Sequence, residues 1–206
     1  MMKLKAVPYG SPEYWEKRYV EESDQDKTPG FEWYPGADEI LCKELHQVIP
    51  EGDPILEIGS GSSELAIKLE ERGYNVMFTD VSETVIEKMK GKWEDREEKK
   101  IDFAAMNACH LPLKTESLWA VVDKGTLDAV DCTDNRQTDE CLREVHRVLA
   151  ENGHYFLVSC REPDVRREDF GHLLDVEKIV EIRSDEGNRS IPCPDAYLYV
   201  LKKKGK

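Results

Sequence analysis

Cations are scarce in this sequence: 29 Lys and Arg stand against 43 Asp and Glu in 206 residues, a formal charge of −14 at pH 7. Nucleic acid is gripped largely by cations that displace counterions from phosphates, so this balance argues against it as a partner. A cationic ligand or a basic protein segment suits such a surface better. Metal-site spacing is missing too. The six cysteines, at positions 42, 109, 132, 141, 160 and 193, form no C-x-x-C pair, and the five histidines form no H-E-x-x-H helix, so no metal is expected. Dispersed thiols of this kind suit a reducing compartment, with the cytoplasm as the expectation, and fill space as small hydrophobes. No apolar run approaches the ~20 residues that cross a bilayer, and the N-terminus has neither a secretory h-region nor the Arg-rich, acid-poor pattern of a transit peptide. A soluble protein with no membrane partner is therefore expected. No Pro/Gly/Ser-rich linker divides the chain, which reads as one domain over 1–206: an N-terminal helical and aromatic lid over 1–50 and a core over 51–206. A hydrophobic content of 39% suffices for one core, and a monomer is expected.

What is present begins with aromatics. Tyr14, Trp15, Tyr19, Phe31, Trp33 and Tyr34 all precede the first strong strand signal. The spacing predicts a helix over 11–20, with Trp15 and Tyr19 on one face, and a second over 37–48 carrying Ile40, Leu41, Leu45 and Val48. From Pro54 strands and helices alternate. Strands are predicted at 55–58, 75–79, 101–106, 118–122 and 154–159. Helices are predicted at 63–72, closed by Gly73, from the cap Ser82 toward Lys92, and at 135–149, closed by Asn152-Gly153. The charged stretch 94–100 reads as a solvated connection. Two last strands, 176–182 and 196–201, have no helix between them and suggest an antiparallel pair. The fold class that follows is α/β: a Rossmann-like, seven-stranded, mostly parallel sheet with helices on both faces and an antiparallel C-terminal pair.

In such a sheet the ligand binds beyond the carboxyl ends of the strands, near the point where strand order reverses. The first strand ends in Glu57-Ile58-Gly59-Ser60-Gly61-Ser62-Ser63, where glycines let the backbone turn and approach a nucleoside. Asp80 ends the second strand and can accept both hydrogen bonds of a ribose diol. A dinucleotide fingerprint wants a third glycine at position 64, yet Glu64 stands there, a carboxylate that would repel a diphosphate. A sulfonium nucleoside carries no phosphate to repel. Glu57 either adds negative charge beside a cationic cofactor or is a buried acid tied to backbone amides.

The fourth strand runs into Val121-Val122-Asp123-Lys124-Gly125-Thr126-Leu127-Asp128-Ala129. This segment resembles the signature of a subfamily of seven-strand protein lysine methyltransferases that includes the elongation factor 1-alpha and citrate synthase enzymes. Supporting segments are Tyr14 to Tyr19, Phe31 to Tyr34, the glycine loop and Pro163-Asp164-Val165-Arg166; the last, with Phe31 to Tyr34, is most similar to the citrate synthase branch, which raises the mitochondrial matrix as an alternative compartment. The resemblance implies S-adenosylmethionine as cofactor and a protein lysine as acceptor. It implies that Trp15, Tyr19 and Tyr34 pack around the methionine end and that Gly59 approaches the cofactor backbone. Asp80 would hold the ribose, Val81, Asn107 and Ala108 would border the adenine, and Lys124 would contact the cofactor. Asn107 departs from the acidic residue common at its position and would have to use its side-chain carbonyl. Asp123 and Asp128 are the expected catalytic residues, as groups that orient the acceptor amine. The alternative readings are plain core packing for the aromatics, a surface lysine for Lys124, and, for the whole chain, a small-molecule methyltransferase, an NAD-dependent oxidoreductase or a non-catalytic binding module.

Overall fold

The computed structural model describes residues 8–24, 32–93, 101–171, 173–183 and 195–205. Phe31, the stretch 94–100 and Cys193 lie outside these residues. In chain order the elements are α1 (Pro12–Asp24), α2 (Ala37–Val48), β1 (Pro54–Ile58), α3 (Leu65–Glu70), β2 (Asn75–Asp80), α4 (Glu83–Lys92), β3 (Ile101–Ala105), β4 (Leu118–Lys124), α5 (Thr126–Asp131), α6 (Asn135–Val148), β5 (Leu149–Ser159), α7 (Pro163–Phe170), β6 (Leu174–Ile182) and β7 (Ala196–Lys203). The sheet order is β3-β2-β1-β4-β5-β7-β6. Strands β1 to β5 pair in parallel, and β7 runs antiparallel between β5 and β6. The seven-stranded sheet expected from the alternation is therefore the one observed.

Side-chain alternation along each strand divides the core between the two faces of the sheet. Leu41, Leu45, Leu65, Leu69, Phe78, Val85, Val122 and Phe156 pack in one layer under α2, α3 and α4. Leu56, Val121, Leu142, Val145, Val148, Tyr155, Leu157 and Phe170 pack in the other under α6 and α7. Caps set the helix starts: the Ser82 hydroxyl accepts from Val85 N at 3.3 Å, and the Asp134 carboxylate accepts from Gln137 N at 3.0 Å.

Some boundaries differ from the sequence expectation. Helix α6 ends at Val148, and the Asn152-Gly153 turn belongs to β5, where Asn152 adopts φ 64° and the register against β4 shifts. A β-bulge and a helix stop use the same turn residues, which is why the two were indistinguishable. The short α5 and α7 were not expected, and α1 continues past Val20. Among the described residues no helix is long and apolar enough to cross a membrane.

Candidate active site

A cleft of about 530 Å³ opens beyond the carboxyl ends of β1, β2 and β4, where strand order reverses between β1 and β4. Its floor is the β1–α3 loop. Gly59 and Gly61 both adopt φ 57°, a left-handed backbone that costs an L-residue ~1–2 kcal/mol. A Cβ at Gly59 would stand 2.1 Å from Thr126 Oγ1, whose hydroxyl donates to Ile58 O at 2.9 Å and so ties α5 to the loop. Gly59→Ala is expected to destabilise the protein by about 2–4 kcal/mol, from backbone strain plus this overlap, read as a lower melting temperature.

Asp80 closes the loop from β2. It is buried, and its two oxygens accept from Gly61 N and Ser82 N, each at 2.9 Å. Burial pushes its carboxyl up to about 6, against the pull of the Ser82, Gly61 and Val81 amides. Glu57 also lines the cleft; its side chain is buried, and its Oε2 has no hydrogen-bond partner among the described residues. Burial lifts it to about 8, despite the counter-pull of Lys124. A buried acid oxygen left unpaired is costly, and a hydrogen-bond donor or a cation at that point would relieve the cost.

The N-terminal aromatics form the roof. Trp15 and Tyr19 stack on α1 with ring centroids 6.0 Å apart, and the Arg18 guanidinium lies 5.3 Å from the Trp15 ring and 5.8 Å from the Trp33 ring. Tyr19 closes directly on the loop, for a Cβ at Gly61 would be 2.6 Å from its hydroxyl. Glu16 accepts from the Thr84 hydroxyl, which ties α1 to the start of α4. Tyr34, a non-glycine at φ 54°, lays its ring beside Gly125 and donates its phenol proton to Asp128 Oδ2 at 2.6 Å.

The remaining expected residues separate into groups. Val81, Asn107 and Ala108 line the far end of the cleft, where Asn107 Oδ1 already accepts from Cys109 N at 2.9 Å. Lys124 lines the cleft, with its ammonium held by Glu32 and by Asp38 Oδ1, the latter at 2.7 Å. Asp128 also lines the cleft. Asp123 does not: it is fully buried on the opposite face of β4 and accepts from Thr126 N, Leu127 N and the Tyr155 hydroxyl at 2.7, 3.1 and 2.7 Å. It caps α5, and burial pushes it up to about 7. Sequence reading missed Glu32, Asp38 and Thr126 as partners in the site. Their pairing crosses long stretches of chain, and the only local signal is the acidic first turn of α2.

A sheet of this order, with its cleft over β1 and β4 and an unpaired buried acid in place of a phosphate-binding turn, defines the Rossmann-like methyltransferase class. The chain belongs to the methyltransferase domain family, which matches residues 56–157 and whose seven-strand members use S-adenosylmethionine. It is 38% identical over 171 residues to the mouse eEF1A lysine and N-terminal methyltransferase, covering 80% of this chain and 24% of that protein. The chain thus spans about a quarter of the length of that relative. It is 28% identical over 203 residues to methyltransferase srdJ of Neurospora crassa, covering 94% of this chain and 83% of the other. In fold it resembles Burkholderia thailandensis 1,6-didemethyltoxoflavin-N1-methyltransferase, solved with 1,6-didemethyltoxoflavin and S-adenosylhomocysteine, at a TM-score of 0.72, covering all of this chain and 94% of that one at 13% identity.

Proposed function

We propose that this protein transfers a methyl group from S-adenosylmethionine to the side-chain amine of a lysine in a protein, with elongation factor 1A the first acceptor to try. The observation that carries the cofactor half is Glu57, a buried acid that lines the cleft, with one oxygen unpaired among the described residues. The acceptor half is supported by the relatives that share up to 38% identity with the chain and by the acids around the cleft, Glu22, Glu32, Glu140 and Asp128 among them. A lysine side chain arrives as a cation, and this lining favours it.

S-adenosylmethionine would supply a sulfonium methyl for in-line attack by the lysine amine once that amine has lost its proton to solvent, the N–C bond forming as the S–C bond breaks and S-adenosylhomocysteine leaves. The residues of the chain bind and place. Glu57 meets the amine of the methionine end. Asp80, whose oxygens keep acceptor capacity beyond two amides, holds the ribose hydroxyls. Gly59 brings backbone close to the cofactor, and Val81, Asn107 and Ala108 border the adenine. Trp15, Tyr19 and Tyr34 close the roof and exclude water, and their rings favour positive charge by cation–π attraction of ~0.5–2 kcal/mol. Lys124 acts through Glu32 and Asp38, setting the charge of this wall, while Asp123 supports α5 from behind. We place the enzyme in the cytoplasm as a monomer, which cell fractionation and sedimentation test.

Two measurements decide the reading. Calorimetric titration is expected to detect S-adenosylhomocysteine and not NAD; the reverse result ends the methyltransferase proposal. Incubation with labelled S-adenosylmethionine and cell lysate is expected to mark a discrete protein band that mass spectrometry resolves to methyl-lysine. Label recovered solely in small molecules would remove the protein acceptor.

A further inference from the structure

Arg166, on α7, is completely buried and does not line the cleft. A guanidinium in that position is tolerated only where carboxylates surround it, and three do: Asp128 Oδ1 at 2.7 Å, Asp131 Oδ2 at 2.8 Å and Asp169 Oδ2 at 2.9 Å. Asp131 closes α5, and Asp169 lies three residues along α7 itself. Asp128 reaches the other way, into the cleft wall.

The hydrogen bonds of Asp128 fill its acceptor capacity. Oδ1 takes Arg166 Nη2 and the Ser159 hydroxyl, at 2.7 and 2.5 Å. Oδ2 takes the Tyr34 hydroxyl and Cys160 N, at 2.6 and 3.1 Å. A carboxylate offers about four lone-pair sites, so none is left over for an acceptor amine. Tyr34 differs. A phenol has one proton, and this one is committed to Asp128, so toward any partner in the cleft the Tyr34 oxygen can act only as an acceptor. The burial and the negative charge beside it keep the phenol protonated, its titration lying far above the usual range. Its backbone is left-handed, at φ 54°, which is rare for a bulky residue.

We infer that Arg166 is a positioning residue that, through Asp128, fixes the Tyr34 hydroxyl as the hydrogen-bond acceptor for the incoming amine. The inference rests on the methyl-transfer reading above and revises the sequence expectation for Asp128, which orients the amine through Tyr34 and not by direct contact. Arg166 supplies the positive charge that keeps Asp128 aimed, and its planar fork holds Asp128 and Asp169 at once, which a lysine ammonium cannot reproduce.

The test uses the full chain with tyrosine labelled at 13Cζ, the Tyr34 resonance being the one lost in Tyr34→Phe. Arg166→Met is expected to shift that resonance toward the position of free tyrosine. Affinity for S-adenosylhomocysteine should stay within about three-fold, which also reports a folded protein, while transfer of labelled methyl to lysate protein falls about ten-fold or more, mainly in kcat. Arg166→Lys should recover part of both signals. An unchanged Tyr34 resonance in folded Arg166→Met, or wild-type transfer by Tyr34→Phe, overturns the proposal. Should Arg166→Met not fold, Asp128→Asn and Arg166→Lys carry the same resonance test. A wild-type protein that transfers no methyl defeats the methyl-transfer reading, and the resonance still decides the relay.

Discussion

Lys124→Met is expected to destabilise the protein by about 3–5 kcal/mol near neutral pH, because removing one partner from a buried ion pair leaves its acids uncompensated. The side chain of Lys124 is 4% exposed and sits between Glu32 and Asp38, with Lys68 completing the group on Asp38 Oδ2 at 2.7 Å. Burial pushes Asp38 up, but Lys124 and Lys68 outweigh it and hold the carboxyl below its ordinary 3.8. Glu32 stays above its ordinary value, burial winning over the same lysine. Lys124 itself is raised: burial opposes the charge, and Asp38 and Glu32 prevail. The signs define the window. A depressed Asp38 stabilises the fold above pH 3.8 and loses that contribution as pH falls through its folded value, and a raised Lys124 contributes below pH 10.5 and loses it above. In the variant the unpaired acids take up protons in the folded state. Its deficit in urea midpoint should therefore be largest near about pH 8 and narrow toward about pH 4. A deficit below about 1 kcal/mol, the range of exposed pairs, would show that the cluster is not structurally coupled.

That cluster also marks the boundary of what the sequence could reveal. The sheet was legible because strands alternate with helices from Pro54 onward, and because the tail offered two strands without a helix. The β1 loop was legible because Gly59, Gly61 and Asp80 stand at fixed offsets from a strand end. Asp123 was a different matter. It neighbours Lys124, yet a strand sends successive side chains to opposite faces, so Val122 and Lys124 share one layer while Val121 and Asp123 share the other. Applied strictly, the period of two would have placed Asp123 behind the sheet. The role of Arg166 could not be read at all, since two of its three carboxylate partners lie 35 and 38 residues away and a charged residue in a segment with no predicted element gives no sign of burial. Asn107 was read as a free carbonyl for adenine, and the local turn that pairs it with Cys109 N escaped notice because Asx turns depend on a backbone shape that composition does not fix.

Glu57→Gln tests the feature on which the cofactor assignment rests. An acid lifted from an ordinary 4.5 to about 8 by burial enters the fold protonated, so the unfolded chain releases the proton first as pH rises. Folded stability without cofactor should then fall between about pH 5 and pH 8, by up to about 3 kcal/mol from this group alone. The Gln side chain keeps the shape and removes the charge. The variant should match wild type near about pH 5 and melt higher near about pH 8, and the difference between the two curves isolates Glu57 from Asp80 and Asp123, which titrate in the same direction. Cofactor binding should respond oppositely. Meeting an ammonium draws Glu57 into its charged form, so wild-type affinity for S-adenosylhomocysteine should rise about ten-fold per pH unit below pH 8, with release of one proton into buffer. Glu57→Gln should bind more weakly and lose that slope. Parallel affinity curves for variant and wild type would mean that the unpaired oxygen does not face the cofactor amine, and the anionic floor of the cleft would need another cation to explain it.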